Sequence, residues 1–295
     1  MHPHHHAKSN PDKPAYIMAG SGETVTYGQL EARSNQVAHA FRAAGCKPGD
    51  TIALFAENSP RYFEICWGAQ RAGLYYVAIS SRLTPPEVEY ILTDSGAKLF
   101  IAGASKRDIA EEVKALTSLD HYWSIDGPMP GFTPLEEHRA QFPETPIADQ
   151  TAGTDMLYSS GTTGRPKGIR PALEPNMPID DVNVLQQILQ AFAGAGADNV
   201  YLSPAPLYHA APLRYCMTFM KFGATLVIME KFDAEALLAN IEKHKVTHIQ
   251  MVPTMFVKLL KLPEEVRNKY DVSSLKWVVH AAAPCPIPVK EQMIK

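Results

Sequence analysis

Residues 158–169 read YSSGTTGRPKGI. Just upstream, Met156-Leu157-Tyr158 has the look of a short buried strand. Pro166 and the glycines at 161, 164 and 168 then forbid a regular helix or strand directly after it. The expectation is a strand that opens into a loop rich in donors. Glycines let backbone N–H groups approach oxygens closely, hydroxyls donate hydrogen bonds, and a lysine supplies a point charge, so the loop suits phosphate. It is not a Walker loop: Pro166 precedes Lys167 and Gly168 follows it, which breaks the GxxxxGK[ST] spacing. A surface turn rich in serine and glycine is the plain alternative. The joint pattern of hydroxyls, glycines and lysine behind a strand weighs against it.

Outward from the loop, helix signals alternate with short apolar runs. Thr26 and Gln29 form a capping-box pattern, with Leu30, Val37, Ala38 and Phe41 on one face until Gly45. TIALFA (51–56), LYYVAI (74–79) and KLFIA (98–102) read as buried strands. Between them, Asn58-Ser59-Pro60 and Thr84-Pro85-Pro86-Glu87 start helices, and residues 107–116 make another. The rhythm repeats beyond residue 183. Val184, Leu185, Ile188, Leu189 and Phe192 form an amphipathic stretch. VYLS (200–203), ATLVIM (224–229), VTHIQMV (246–252) and LKWVVHAAA (275–283) are strands, Asp233 caps a helix, and PTMFVKLLKL is helical.

Alternation of this kind, with near-continuous apolar strands, predicts α/β architecture with parallel sheets covered on both faces. About ten strands exceed one ordinary doubly wound sheet, so two are expected. The irregular stretch PALEPNMPIDD (171–181) would cross between them.

Among 295 residues, 45% are hydrophobic and 20% charged, with a net charge of −3, which gives no electrostatic case for nucleic acid or an anionic membrane. No apolar run is long enough to span a bilayer, and the N-terminus lacks the apolar core of a secretory signal. Its histidines, His2, His4, His5 and His6, read as a mobile tail or cloning remnant, outside the fold. Four scattered cysteines (46, 66, 216, 285) with no CxxC pair fit a reducing compartment, and a cytoplasmic location is the default expectation. GAGADN (194–199) lacks the third glycine of a dinucleotide fingerprint and follows a helix, and no GxSxG or HExxH occurs. Glu111-Glu112 and Glu136-Glu137 read as solvated charge pairs.

With these residues in view, the chain resembles the acyl-adenylate-forming superfamily, which comprises acyl-CoA synthetases, peptide-synthetase adenylation domains and beetle luciferases. YSSGTTGRPKGI resembles its signature loop. TYGQLEARSNQVAHAFRAAGCKPGD, ENSPRYFEICWGAQRAGLYYVAISSRLTPPE, PLYHAAP (206–212), MVPTMFVKLL (251–260) and HAAAPCP (280–286) agree in order. Nearly the whole chain takes part, and the likeness is greatest to fatty-acyl and related CoA ligases.

The resemblance implies the two doubly wound parallel-sheet subdomains of the superfamily's N-terminal domain. Residues 1–48 would pack with the second subdomain, 49–180 would form the first with the phosphate loop at 158–168, and 181–295 the second. The chain would then be part of a longer protein, stopping before the barrel and the C-terminal lid. Those parts carry the family's magnesium-binding glutamate, ribose-binding aspartate and lid lysine, so the fragment alone is expected to be inactive.

The implied activity is that of a carboxylate–CoA ligase, with a fatty acid as the expected acid. The carboxylate attacks the α-phosphate of ATP, giving an acyl-adenylate and pyrophosphate, and the thiol of coenzyme A then displaces AMP. ATP, Mg2+ and coenzyme A are therefore implied, a homodimer is one allowed assembly, and no nucleic acid or transmembrane segment is expected. Residue by residue, Ser159, Ser160, Gly161, Thr162, Thr163, Gly164 and Lys167 would hold the nucleotide phosphates. Thr162 and Thr163 are equal candidates for contact with the metal. His209, with Lys167, is a candidate catalytic residue, and Tyr208 and His209 would line the acyl pocket. Ala281, Ala282, Ala283 and Pro284 match the segment that packs on adenine. Structural roles remain open for several of these: a half-buried histidine in a proline-rich turn, a core tyrosine, and a tightly packed strand end. Amino-acid adenylation domains place an aspartate where this chain has Tyr208-His209, which favours an uncharged acyl tail. A non-catalytic nucleotide-binding module is the alternative of a different class.

Overall fold

The computed structural model describes residues 1–159 and 165–294, Ser159 by its backbone. Contacts divide the chain into two units: residue 2 with 28–181, and residues 1, 3–27 and those from 182 onward. Each has its own six-stranded sheet. Residues 28–48, which the sequence reading grouped with the second subdomain, group here with 49–181.

In the 28–181 unit the strands run Thr133–Pro134, His121–Ile125, Ala97–Gly103, Thr51–Phe55, Tyr75–Ile79, Thr154–Asp155, and every neighbouring pair is parallel. The central strand, Thr51–Phe55, is buried along its whole length, as a parallel strand covered on both faces must be. Helix Pro85–Ser95 shows how local sequence sets the element. Thr84 and Glu87 complete a capping box, with the Thr84 N–H and hydroxyl both donating to Glu87 Oε2, at 2.8 and 2.7 Å. Gly96 ends the helix in the left-handed conformation (φ 63°), which costs glycine nothing. Val88, Ile91 and Leu92 then join Phe55, Val77 and Phe100 in one core.

The helix expected at Asn58 begins later, at Tyr62, because Ser59 closes a turn first: its Oγ accepts from the Arg61 N–H and donates to Asp126 Oδ1. All ten residues of helix Tyr62–Arg71 are buried, Glu64 and Arg71 included. Glu64 is met by Arg33 at 3.0 Å, Arg61 at 3.1 Å and Arg139 at 3.4 Å, and Arg71 pairs with Glu31. Buried charge is tolerable only with such pairing. Nothing in the linear sequence shows that these residues meet.

In the other unit the order is Trp277–His280, His248–Met251, Val200–Ser203, Thr225–Ile228, Pro14–Met18, Thr24–Thr26; all pairs are parallel except the last. Leu202, Val227, Ile249, Leu237 and Phe256 share its core. Asp233 caps helix Ala234–His244 as expected, accepting from the Ala236 N–H at 2.8 Å.

The N-terminal histidines belong to the fold, contrary to their reading as a mobile tail. His2 is fully buried, edge-on to Trp67 at 4.8 Å, and His6 Nε2 lies 3.0 Å from the Lys221 carbonyl oxygen. The apolar face expected on helix Val184–Ala193 is only partly used: Leu189 is buried, whereas Val184, Ile188 and Phe192 are exposed.

Candidate functional site

Residues 160–164, and with them Ser160, Gly161, Thr162, Thr163 and Gly164, lie outside the described residues. Their flanks are described. Leu157–Ser159 pairs antiparallel with Lys167–Ile169, so Ser159 faces Lys167 across a two-stranded ribbon. The strand at 167–169 corrects the expectation that Pro166 and Gly168 exclude regular structure there. Gly168 is what permits it: a Cβ at that position would stand 2.7 Å from Met156 Cε and 2.9 Å from the Tyr158 ring. The glycine makes room for those two side chains, whatever it does for a ligand.

Two aromatic side chains fasten this ribbon to its surroundings, and a third holds the chain just beyond it. Tyr158 donates from its hydroxyl to Asp94 Oδ2 at 2.6 Å, and Tyr90 donates to the Pro166 carbonyl at 3.2 Å. Burial, and then the Asp94 carboxylate, push the Tyr158 hydroxyl well above the ordinary tyrosine value, so it stays protonated and donates. Arg165 stacks over the Tyr90 ring at 4.9 Å. Past the ribbon, Tyr75 donates to the Pro171 carbonyl at 2.5 Å while Arg170 lies over the Tyr75 ring at 4.3 Å. Lys167 itself is exposed.

The remaining candidates lie in the other unit, where two loops follow the carboxyl ends of parallel strands. Ligands of open α/β sheets bind outside such ends. After strand Val200–Ser203 the chain reaches Tyr208, which is buried, and His209, which is exposed. The two rings meet edge to face at 4.7 Å. His209 is the N-cap of helix Ala210–Phe222, with extended backbone (φ −87°, ψ 146°). After strand Trp277–His280, the Ala281 N–H donates to the Met251 carbonyl at 3.2 Å and the sheet ends. The expected strand to Ala283 therefore stops at His280. Ala282 takes a left-handed conformation (φ 73°), uncommon for a residue with a Cβ, and Ala282, Ala283 and Pro284 are exposed.

Three of the four cysteines, Cys46, Cys66 and Cys216, are buried core residues. Burial pushes Cys46 up to about 11, Cys216 up to about 12 and Cys66 higher still. A cavity of about 640 Å³, bordered by Gly49, Gly73, Asp149 and Asn176, opens at the amino ends of strands Thr51–Phe55 and Tyr75–Ile79, away from the ends where ligands of such sheets bind.

Sequence reasoning missed Tyr90 and Asp94 as supports of the ribbon, and Tyr75 as the support of the chain beyond it. The one available signal was the placement of Tyr90 and Asp94 four apart on a capped helix, and it did not name their partners.

Comparison with known proteins shows the family. A profile of the family described as "AMP-binding enzyme" matches residues 3–295, and the chain belongs to that family. The feruloyl-CoA synthase of Amycolatopsis sp is 33% identical over 270 residues, covering 90% of this chain and 50% of that protein. The fatty acid–[acyl-carrier-protein] ligase ScoC of Streptomyces coeruleorubidus is 30% identical over 301 residues, covering 98% and 54%. Among solved structures, the inhibitor-bound N-terminal domain of FACL13 from Mycobacterium tuberculosis superposes with a TM-score of 0.83 at 25% identity, covering 99% of this chain and 71% of that one. The fold is that of the N-terminal domain of acyl-adenylate-forming enzymes. The chain spans about half the length of the curated relatives it matches. No helix among the described residues is long and apolar enough to cross a membrane.

Proposed function

We propose that this chain is the nucleotide- and acyl-binding part of a carboxylate–CoA ligase that works through an acyl-adenylate. The observation that carries the reading is the ribbon Leu157–Ser159/Lys167–Ile169, which fixes both ends of the SSGTTGRPK segment in a chain of the AMP-binding family. In this reading, Ser159, Ser160, Gly161, Thr162, Thr163, Gly164 and Lys167 would receive the phosphates of ATP, and Thr162 and Thr163 are the candidates to hold magnesium, which would neutralise phosphate charge. Donors held in place before the reaction stabilise charge as it develops on phosphate, without reorganisation. The carboxylate oxygen of the acid bonds to the α-phosphorus as the bond to pyrophosphate breaks. A thiol then takes the acyl group, and AMP leaves with the electron pair of the acyl–oxygen bond.

His209 would stand at the reacting carboxylate and Tyr208 at the acyl tail, with Ala281, Ala282, Ala283 and Pro284 against adenine. The exposed setting of His209 and of residues 282–284 at strand carboxyl ends supports these roles. A fatty acid is the proposed substrate, and coenzyme A the thiol. The absence of an acidic side chain at Tyr208-His209 supports an uncharged tail. One of the two relatives described above is named for an aromatic acid, and the other for a fatty acid and a carrier-protein acceptor. An aromatic acid is therefore the second reading.

Non-hydrolysable acyl-sulfamoyl adenosines with alkyl and aryl tails test both points by calorimetry. The alkyl series should bind more tightly than AMP, gaining affinity with tail length. Tighter binding of the aryl series would move the assignment to aromatic acids, and binding of neither would remove the adenylate reading.

A further inference from the structure

The ribbon that carries the phosphate-loop sequence is too short to hold its own shape, with three residues in each strand. Isolated two-stranded ribbons are marginal even when longer. Its register must come from outside: the Met156 N–H donates to the Tyr76 carbonyl at 3.0 Å just before the ribbon, and one helix supplies a side-chain contact to each flank. On Pro85–Ser95, Tyr90 and Asp94 are four residues apart and so lie on one face, one turn from each other. Asp94 takes the strand entering the loop, through the Tyr158 hydroxyl. Tyr90 takes the strand leaving it, through the Pro166 carbonyl and the stacked Arg165 guanidinium. We propose that Tyr90 and Asp94 are positioning residues that set the phosphate loop by clamping its two flanks to helix Pro85–Ser95.

The helix is suited to the task because it is itself immobilised. Its start is locked by the capping box and Pro85, its end by Gly96, and its inner face by Val88, Ile91 and Leu92. A hydrogen bond made near the helix end thus reports the position of the whole 28–181 core to the ribbon. The acceptor is a carboxylate, which makes the bond short and stronger than a neutral one. The inference rests on the nucleotide reading of the loop, but the clamp can be measured without nucleotide.

Asp94→Ala and Tyr158→Phe each remove the first contact, and Asp94 is exposed, so neither should compromise folding. Asp94→Asn keeps an oxygen that the Tyr158 hydroxyl can reach. Amide hydrogen exchange in the unliganded chain should be about tenfold faster or more at residues 157–159 and 167–169 in Asp94→Ala and Tyr158→Phe, the scale of one lost charge-assisted hydrogen bond. It should rise by a smaller factor in Asp94→Asn, which keeps a neutral acceptor in place of the carboxylate, with the rest of the sheet unchanged in all three. Mg·ATP affinity should fall by a similar factor in the first two variants. In Asp94→Asn it should hold or rise, because a negative charge has been removed near a phosphate site. Unchanged exchange in Asp94→Ala and Tyr158→Phe overturns the clamp. Faster exchange with unchanged affinity overturns the positioning role while sparing the nucleotide reading. Failure of the wild-type chain to bind Mg·ATP overturns that reading and, with it, the purpose of the clamp.

Discussion

The two groups of candidate residues are held in opposite ways. The ribbon at 157–169 is short in backbone and rich in side-chain support: Asp94 and Tyr90 hold it from 64 and 76 residues away in the chain. The segment 281–284 is the reverse. It continues directly from strand Trp277–His280, keeps one hydrogen bond to the next strand at Ala281, and then runs exposed with Ala282 in a left-handed turn. A loop that must present many donors to a highly charged group needs its frame fixed externally. A surface for a flat base needs small residues and an open face. Polar, long-range support marks the first, and local backbone conformation marks the second.

The strongest way to break the comparison is to disturb the approach to the ribbon. Gly153 precedes strand Thr154–Asp155, its N–H donating to the Gln70 carbonyl at 2.6 Å, and a Cβ there would press on the Leu74 backbone, 2.6 Å from its nitrogen. Backbone cannot swing aside as a side chain can. Gly153→Ala should lower unfolding free energy by about 3 kcal/mol, measured by urea titration. A loss below about 0.5 kcal/mol, the level of an ordinary surface change, would show that the strand accommodates a side chain.

Acid should act on the other unit. His248 is fully buried on the strand next to Trp277–His280, its Nε2 2.7 Å from the Ala193 carbonyl oxygen and its Nδ1 2.8 Å from Thr247 Oγ1. Loss of hydration holds its pKa below the usual 6.5, outweighing the Ala193 carbonyl, which raises it. The unfolded chain therefore binds a proton that the folded chain refuses. The stability this provides is complete above the unfolded value and is lost as pH falls below it, at up to ~1.4 kcal/mol per pH unit until the folded value is reached. Stability measured from pH 7.5 to 5 should decline, and less steeply in His248→Gln. An equal slope in the two proteins would clear His248 of the effect.

The smallest expected effect lies at Ala282. The left-handed conformation costs a residue with a Cβ roughly 1–2 kcal/mol, part of which glycine returns through the entropy of its unfolded state. Ala282→Gly should be more stable by ~0.5–1 kcal/mol, the difference of those two contributions. A destabilised Ala282→Gly would mean that the alanine methyl makes a packing contact that outweighs its strain.

Much of the framework was legible because it is local. The capping box at Thr84 and Glu87, the aspartate cap at 233 and the apolar strand runs near 51–55, 75–79 and 98–102 each depend on residues a few positions apart, and each forms where the sequence predicts. The helix after Asn58 slipped because a serine able to cap also closed a turn with Asp126, 67 residues away. The histidines near the N-terminus misled for a related reason. Their composition suggested a tail, and only the fold supplies Trp67 for His2 and the Lys221 carbonyl for His6. The strand Lys167–Ile169 was hidden because Gly168 reads as a breaker until Met156 and Tyr158 are seen beside it. The site candidates came from motif likeness, whereas their supports, Tyr90 and Asp94, had no motif to find.

The central claim is that the segment framed by the ribbon receives the phosphates of ATP. Titrating Mg·ATP into the 295-residue chain and into its Lys167→Ala variant by calorimetry tests it most directly. Lys167 is an exposed cation opposite Ser159 in the ribbon, at the loop's exit. Losing one charge-assisted contact to phosphate should weaken binding by about tenfold or more. Saturable one-to-one binding in the wild type, weakened by that factor in Lys167→Ala, is the predicted result. Equal affinity in the two proteins, or no binding by the wild type, would contradict it.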